Sequence, residues 1–465
     1  MYKPVHLIKF DKTFTRRHFL KTMSSGIVTS GVLAPLWNVI AATGDISRAY
    51  PDEALSIEHY TNGKVRVGGV LDASNVDSAK DLVDPITYHQ IKNDGRIVDI
   101  IATPTKIMHL NPASYIEATL RNKGRARFDK NGNVVSDDGG PWIGGHPFPD
   151  AKDAREMMAG VALSWGRHDI AFYCIVERIR DSEGKLLFRY NQIFTEVHPT
   201  GRLVLDPKPY WPGHEGKVRY NTTLLTSPGD VAGSAFLAIW HYDQSRFPDF
   251  HGYLPAFKRV RRFSANQRFE PLWPGSVFFA SDAWTMGDPF LTWGNFKLIG
   301  KTPFLAGVGG QGGGWHSDHP NWETPVVGGK TGDKYLRTRF SLVPEAYVVE
   351  MEPVKYPMAP YKKRRVWLDA RTMSPMVSVA YDRAGKEWKQ FEGGTTLYEQ
   401  PGGEKFAVGG ESYWSWTYVH IHDVQKDRIS VITQVKQLDN YKCTFNDPSI
   451  YEGYCTLQAI QRLGI

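Results

Sequence analysis

The histidines supply the residue types and spacings with which this chain could do chemistry. His316 and His319 lie on either side of Asp318 in a glycine-rich segment, and His420 and His422 lie two residues apart in a predicted strand. Residues two apart on a strand share a face, so the second pair could offer two nitrogens to Zn²⁺ or a related ion, and the first pair could do the same from a loop. Neither spacing is a complete ligand set. A metal-dependent enzyme acting on a hydrophobic substrate is therefore the alternative interpretation, and no cofactor is predicted.

Motifs of other chemistries are absent from the 465 residues. The sequence contains no Gly-x-Ser-x-Gly elbow, no His-Glu-x-x-His pair and no Walker loop. It also lacks motifs that would bind molybdopterin, an iron–sulfur cluster or haem. These absences favour a binding protein over an enzyme.

Aromatic residues are dense in two regions that could line an apolar cavity. The first region contains Trp284, Trp293 and Phe296, and the second contains Trp414 and Trp416 on one face of a predicted strand. Rigid apolar surface of this kind suits a hydrophobic ligand, and we predict these five side chains as ligand-binding. Each of them would serve equally well in the core of a large sheet.

Two basic runs occur, one within a predicted strand at residues 258–262 and one at residues 362–365, where a predicted strand begins. Arg259 and Arg261 point to one face of their strand, and Lys258 and Arg262 point to the other, so neither face is purely apolar. We predict that Arg259, Arg261 and Arg365 lie at the rim of a cavity or on a docking face for a partner. The alternative is a solvated edge that prevents strand pairing between molecules.

Strands and turns dominate the chain from residue 170 onwards, and one strong helix precedes them. The helix is predicted at residues 150–165, with Asp150 as its cap, and a shorter helix is predicted to follow Asn111 as cap. The predicted strands span residues 170–180, 185–197, 233–242, 256–263, 346–352, 364–369, 376–382, 387–392, 412–422 and 429–436. The glycine-rich residues 307–314 are predicted as a loop. A long antiparallel meander of this kind must curl, close or pair with another layer to cover its inner face.

The first 42 residues have the order of a leader for twin-arginine export. Arg16 and Arg17 precede an uncharged stretch from Thr22 to Ile40, and Ala42 follows with the small residues of a cleavage site. We therefore predict a Tat signal peptide at residues 1–42, cleavage near Ala42 and a periplasmic mature protein. A retained N-terminal anchor is the alternative.

Composition restricts what the mature chain can be. Hydrophobic residues make up 41% and charged residues 23%, with 44 Gly and 29 Pro, which excludes a disordered or coiled-coil chain. The net charge of +7 is spread among 49 acidic and 56 basic residues, so nucleic acid is not a predicted partner. We predict an N-terminal mixed α/β segment at residues 43–149, which contributes to the same domain as a large antiparallel β domain at residues 150–465.

Three cysteines remain in a compartment that permits disulfides. Cys443 and Cys455 flank a short loop and could be bridged, but spacing alone does not fix the connection. Cys174 lies in an apolar run and is predicted as a buried core residue.

Several segments together resemble domain-of-unknown-function family 1329, which is grouped with the lipoprotein-localisation factors LolA and LolB. The matching text is GHPFP at 145–149, KRVRR at 258–262, SDA at 281–283, WGNFKLIGK at 293–301, RRVWLD at 364–369 and YDRAGKEW at 381–388. The resemblance implies a large curled antiparallel sheet, forming a half-open barrel, with a few covering helices and a cavity for acyl chains. It also suggests an inner-membrane export pump or an outer-membrane protein as partner. The leading hypothesis is thus a periplasmic carrier or binding protein for a hydrophobic small molecule or lipid.

Overall fold

The fold is that of a computed structural model, which describes residue 50 and residues 52–164, 167–285, 288–311, 319–330, 333–356, 358–398 and 413–464. The α-helices are α1 Ile57–Tyr60, α2 Pro85–Asn93, α3 Ala113–Asn122, α4 Ala154–Ser164, α5 Ser449–Tyr454 and α6 Leu457–Leu463. Short 3-10 helices lie at Asp52–Leu55, Val76–Leu82, Ile107–His109, Pro255–Phe257, Ala265–Phe269, Ala280–Thr285 and Phe290–Thr292.

Strands make up most of the regular structure. The N-terminal strands are β1 Val70–Leu71, β2 Val98–Ile100, β3 Arg127–Phe128 and β4 Val134–Val135. The next are β5 Ile170–Arg180, β6 Leu186–Val197, β7 Lys217–Ser227, β8 Ala235–His241, β9 Asp249–Leu254, β10 Arg259–Phe263, β11 Gly294–Ala306, β12 Val308–Gln311, β13 Val326–Val327 and β14 Tyr335–Leu336. The last are β15 Thr338–Glu352, β16 Tyr361–Asp369, β17 Pro375–Asp382, β18 Glu387–Tyr398, β19 Tyr413–Asp423, β20 Arg428–Val435, β21 Gln437–Leu438, β22 Tyr441–Lys442 and β23 Thr444–Phe445.

One sheet of 17 strands organises the molecule. Its main run is antiparallel throughout, in the order β10, β9, β8, β7, β6, β5, β20, β19, β18, β17, β16, β15 and β11. β11 lies beside β15, yet β12, which continues it, pairs in parallel with β18. That pairing requires the second half of the sheet to curl back on itself. The prediction of a mainly β protein with a large, half-open curled antiparallel sheet and few covering helices is confirmed.

The two faces of a strand explain how the sheet is covered. Along β8, Leu237 and Ile239 pack in one apolar cluster with Ile460 of α6. Phe236 and Trp240 alternate with them and point to the other face, because successive strand side chains alternate. The C-terminal helices therefore cover one face of this half of the sheet and leave the opposite face to a cavity.

A buried polar network fastens the N-terminal segment to the sheet. Arg96 donates to both carboxylate oxygens of Glu392 on β18, at 2.6 and 2.8 Å, and both side chains are fully buried. Beside this pair, Gln390 donates to Asp84, the residue that caps α2. Burying these groups is tolerated because each has hydrogen-bond partners.

Several local predictions were wrong, each for an identifiable reason. The helix predicted from Asp150 begins at Ala154, because Asp153 and not Asp150 accepts from the backbone N–H of Glu156, at 2.9 Å. Asn111 does not cap α3, since its Oδ1 accepts a hydrogen bond from Arg167 Nε at 2.8 Å. Within the predicted glycine-rich loop, residues 308–311 form β12.

The cysteines do not form the bridge that the sequence left open. Cys443 and Cys455 are buried free thiols, as is Cys174. The Sγ atom of Cys443 accepts a hydrogen bond from the backbone N–H of Cys174 at 3.2 Å, whereas Sγ of Cys455 lies 3.3 Å from Oγ1 of Thr195. The predicted burial of Cys174 is confirmed.

Candidate functional site

The inner face of the sheet forms the wall of a large cavity, the main chamber. Its side chains come from alternate positions on successive strands, as the register of an antiparallel sheet requires. Phe194 of β6, Phe236 and Trp240 of β8, Phe250 of β9 and Phe391 of β18 are the large apolar members. The chamber and its opening to solvent together contain about 1200 Å³ of space free of protein atoms. Cavities that hold small molecules are mostly apolar with a few polar groups, and the lining of this chamber has that character.

Residues 268–282 lie over the inner face of the sheet and close part of the main chamber. We call these residues the cover segment. Leu272, Trp273 and Phe278 of this segment line the chamber opposite the strands. Trp273 packs in one apolar cluster with Phe236 and Phe250. The cover segment is thus joined to the wall by apolar contacts within the cavity itself.

A buried carboxylate anchors the middle of the cover segment. Glu177 of β5 is fully buried and accepts hydrogen bonds from Trp273 Nε1 at 2.8 Å, Ser276 Oγ at 2.9 Å and Gln192 Nε2 at 2.8 Å. Burial raises the pKa of Glu177, and the hydrogen bonds from its donors act in the opposite direction. These bonds hold the cover segment to the sheet.

A second carboxylate, Asp282, anchors the end of the cover segment. Tyr361 Oη donates to it at 2.6 Å and Lys389 Nζ at 2.7 Å, and Arg364 Nη2 lies at 3.5 Å. Burial lowers the pKa of Lys389, and the Asp282 charge opposes that shift. Because these partners come from β16 and β18, Asp282 ties the cover segment to the second half of the sheet.

A smaller space, the polar chamber, adjoins the main one. It shares Pro375, Thr395 and Trp416 with the main chamber as lining residues, and together with its opening to solvent it contains about 520 Å³ of space free of protein atoms. Its other lining residues include two charged side chains, Arg167 and Glu196. The site therefore combines a large apolar space with a smaller space that contains charge.

A family model described as "Protein of unknown function (DUF1329)" matches residues 70–461. The chain belongs to this family. The resemblance seen in the sequence is thereby confirmed. No functionally curated protein matches the chain.

Several solved structures are similar to this DUF1329 protein at low sequence identity. A domain named for outer-membrane lipoprotein sorting, from Vibrio parahaemolyticus, is 16% identical with a TM-score of 0.42, over 66% of this chain and 97% of that one. A DUF1329 family protein from Desulfovibrio piger is 15% identical with a TM-score of 0.41, over 64% and 95% of the two chains. The LolA superfamily protein NE2245 from Nitrosomonas europaea is 13% identical with a TM-score of 0.36, over 65% and 97%.

The predicted aromatic residues of this DUF1329 protein occupy different places. Trp416 lines both chambers and Trp414 lines the polar chamber. Trp293 is 2% exposed, donates to Asp288 at 3.1 Å and packs in a separate apolar cluster with Phe296. The side chain of Trp284 lies outside the described residues.

The predicted arginines do not line either chamber. Arg259 and Arg261 are exposed on β10, which has only β9 as a partner strand among the described residues. Arg261 lies 3.8 Å from the ring centre of the exposed Phe257. Arg365 is mostly buried and pairs with Glu350 at 2.6 Å.

The histidines considered as metal ligands are engaged by the protein. His420 is fully buried, and its Nε2 accepts from the backbone N–H of Leu336 at 3.2 Å; burial lowers its pKa to about 3. His422 contacts Asp427 through Nε2 at 3.0 Å. His319 is exposed and its Nδ1 accepts from two backbone N–H groups, whereas His316 lies outside the described residues. Among the described residues, no group of three or more His, Cys, Asp or Glu is placed to hold a metal ion.

The strongest cavity residues of this DUF1329 protein were not singled out from the sequence. Phe236, Trp240 and Trp273 belong to that set, and Phe236 and Trp240 lie in a strand that was predicted. The sequence shows that Phe236 and Trp240 share one face of their strand. When both faces of a strand are covered, however, the pattern alone does not show which face lines a cavity. Trp273 lies in an irregular segment whose position relative to the sheet no sequence pattern indicates.

No helix in the described part of the chain is both long and apolar enough to cross a bilayer.

Proposed function

We propose that this protein is a periplasmic carrier that shields an apolar molecule within the main chamber. The observation that carries the proposal is the chamber itself, with its aromatic and largely apolar wall. Apolar surfaces of this extent are normally filled by side chains or covered by a partner. Binding and releasing an apolar molecule in such a space require no covalent bond to be broken.

Burial supplies enough free energy for such binding. Each buried methylene contributes about 0.8 kcal/mol, so an eight-carbon chain contributes about 6 kcal/mol before the costs of association. Trp416 lines both chambers where they meet, and we assign it contacts with the parts of the ligand that lie in each chamber. Trp414 would contact the part of the ligand in the polar chamber.

The test begins with the exported protein. An organic extract of the purified protein should contain one defined apolar compound, close to one molecule per chain, by mass spectrometry. Elemental analysis of the same sample tests the metal-dependent alternative, which requires stoichiometric metal. An extract with no compound and a sample with bound metal would refute the carrier.

A matched pair of variants places the ligand. Ala238 lines the main chamber and Ala256 is exposed on the surface. Ala238→Trp should fill the chamber and abolish the co-purifying compound, whereas Ala256→Trp should retain it. Equal retention by both variants would show that the compound lies elsewhere.

The edge strand β10 is our proposed docking face for a membrane-bound partner, such as an export pump or an outer-membrane protein. Lys258, Arg259 and Arg261 are exposed there and make no ion pair with a described residue. Arg262 differs, because it pairs with Asp249 at 2.6 Å. Three uncompensated charges beside an unpaired strand edge suit an acidic surface on the partner. Charge reversal by Arg259→Glu with Arg261→Glu should lower cross-linking to that partner at low salt, and unchanged cross-linking would refute the assignment.

A further inference from the structure

The polar chamber contains a buried positive charge without a counter-ion. Arg167 is only 6% exposed, and it makes no ion pair with a described residue. Its hydrogen bonds go to neutral acceptors: Nε donates to Asn111 Oδ1 at 2.8 Å, and Nη2 donates to Ser374 Oγ at 2.7 Å and to the carbonyl oxygen of Thr372 at 3.2 Å. Nη1 has no hydrogen-bond partner among the described residues. A buried charge is costly unless it is paired, so this arrangement favours an anion.

The surroundings of Arg167 hold its guanidinium group in place. It lies 4.2 Å from the ring centre of Tyr115 and 5.5 Å from that of Trp414. These contacts and the bonds to Asn111 and Ser374 fix the plane of the group, so little further ordering is needed to bind a planar or tetrahedral anion.

The other charged group of the chamber is already engaged. Glu196 lies within 3.4 Å of Tyr173 Oη and of Asn221 Nδ2. Glu196 also interacts with Arg219. Burial lowers the pKa of Arg219 to about 10, and the charge of Glu196 opposes that shift. His168, which lines the same chamber, is neutral, because burial lowers its pKa to about 4. Arg167 is therefore the charge of this chamber that is available to a ligand.

We propose that the polar chamber binds the anionic head of an amphipathic lipid, a carboxylate or a phosphate, at Arg167. The chain of that lipid passes Trp416 and lies in the main chamber, since the two spaces share that residue. This inference rests on the proposed carrier function and narrows its ligand to anionic amphiphiles. An anion at Nη1 forms an ion pair with Arg167 in addition to a hydrogen bond, whereas an alcohol of equal chain length forms the hydrogen bond alone.

Displacement of Nile red by dodecanoate, dodecyl phosphate and 1-dodecanol tests the inference in the mature protein. At least one anion should bind about tenfold or more tightly than the alcohol, and the tighter of the two anions identifies the head group. If all three bind equally, the anion site is refuted and the carrier remains. If the protein binds no Nile red and the organic extract is empty, the carrier itself is refuted.

Three variants separate the charge of Arg167 from its structural contacts. Arg167→Met should reduce the ratio of anion to alcohol affinity to near one, and Arg167→Lys should keep most of it. The ratio is measured within one preparation, so a lower folded fraction in a variant does not change it. Ser374→Ala removes one hydrogen bond from Arg167 but leaves the charge, and it should keep the preference. A preference that survives in Arg167→Met would overturn the assignment.

Discussion

Replacing Glu392 by Gln tests how far one buried ion pair secures the N-terminal segment. Arg96 and Glu392 are fully buried and joined by two hydrogen bonds. Burial raises the pKa of Glu392, but the Arg96 charge outweighs it, so the pKa falls from 4.5 to about 2. Each pKa unit corresponds to about 1.4 kcal/mol, and the paired carboxylate therefore contributes about 3 kcal/mol to stability at neutral pH.

The pH dependence of this contribution has a definite sign. Because the folded pKa of Glu392 lies below the unfolded one, the contribution is complete above about pH 5 and is lost as the pH falls toward 2. Less than half of it should remain near pH 3. Glu392→Gln should thus cost about 3 to 5 kcal/mol near pH 7, since it leaves Arg96 buried without its charge partner.

Urea unfolding followed by tryptophan fluorescence measures the difference. The wild-type protein and Glu392→Gln are compared near pH 7 and near pH 3, and the gap between them should shrink at the lower pH. Asp137→Asn is the control, because its pair with Arg125 is exposed and should contribute little at either pH. A gap of equal size at both pH values would refute the electrostatic account.

Three further changes test the cover segment, the aromatic clusters and the thiols. Glu177→Gln weakens the anchor of Trp273 and should cost about 1 to 3 kcal/mol, and limited proteolysis should then cut within residues 268–282 sooner than in the wild type. Trp293→Ala should cost about 3 to 5 kcal/mol in urea unfolding, yet leave Nile red stoichiometry unchanged, because Trp293 packs outside both chambers. Alkylation followed by mass spectrometry should modify all three cysteines in denaturant and none in the folded protein, because each is buried and burial raises the pKa of Cys443.

Strands with a strong apolar signal could be predicted from the sequence, and strands with mixed signals could not. β5 was predicted at its observed bounds, because it begins with an unbroken apolar run from Ile170 to Val176. β11 was missed because it contains Gly300 and Pro303, which weaken a strand assignment. The structure accommodates Pro303 at a register shift between Thr302 and Phe304.

The candidate site was less predictable than the fold, because it depends on contacts between distant segments. Of the aromatic residues chosen from the sequence, Trp416 and Trp414 line the chambers, while Trp293 lies in a solid cluster. Arg167 was not chosen, since it stands outside any basic run. Its lack of a counter-ion is seen only in the folded structure, where Asn111, Thr372 and Trp414 from three distant segments surround it.

The pairing of β5 with β20 has a consequence for how the chain is made. Thr433 donates to the carbonyl oxygen of Val176 across 257 residues of sequence, at the centre of the sheet. During synthesis β5 therefore keeps an unpaired edge until almost the whole chain has left the ribosome, and such edges are prone to aggregation. High contact order of this kind also slows folding. The exposed edge of β5 is therefore a point of vulnerability that disappears only when β20, near the C-terminal end of the described residues, has been made and paired with it.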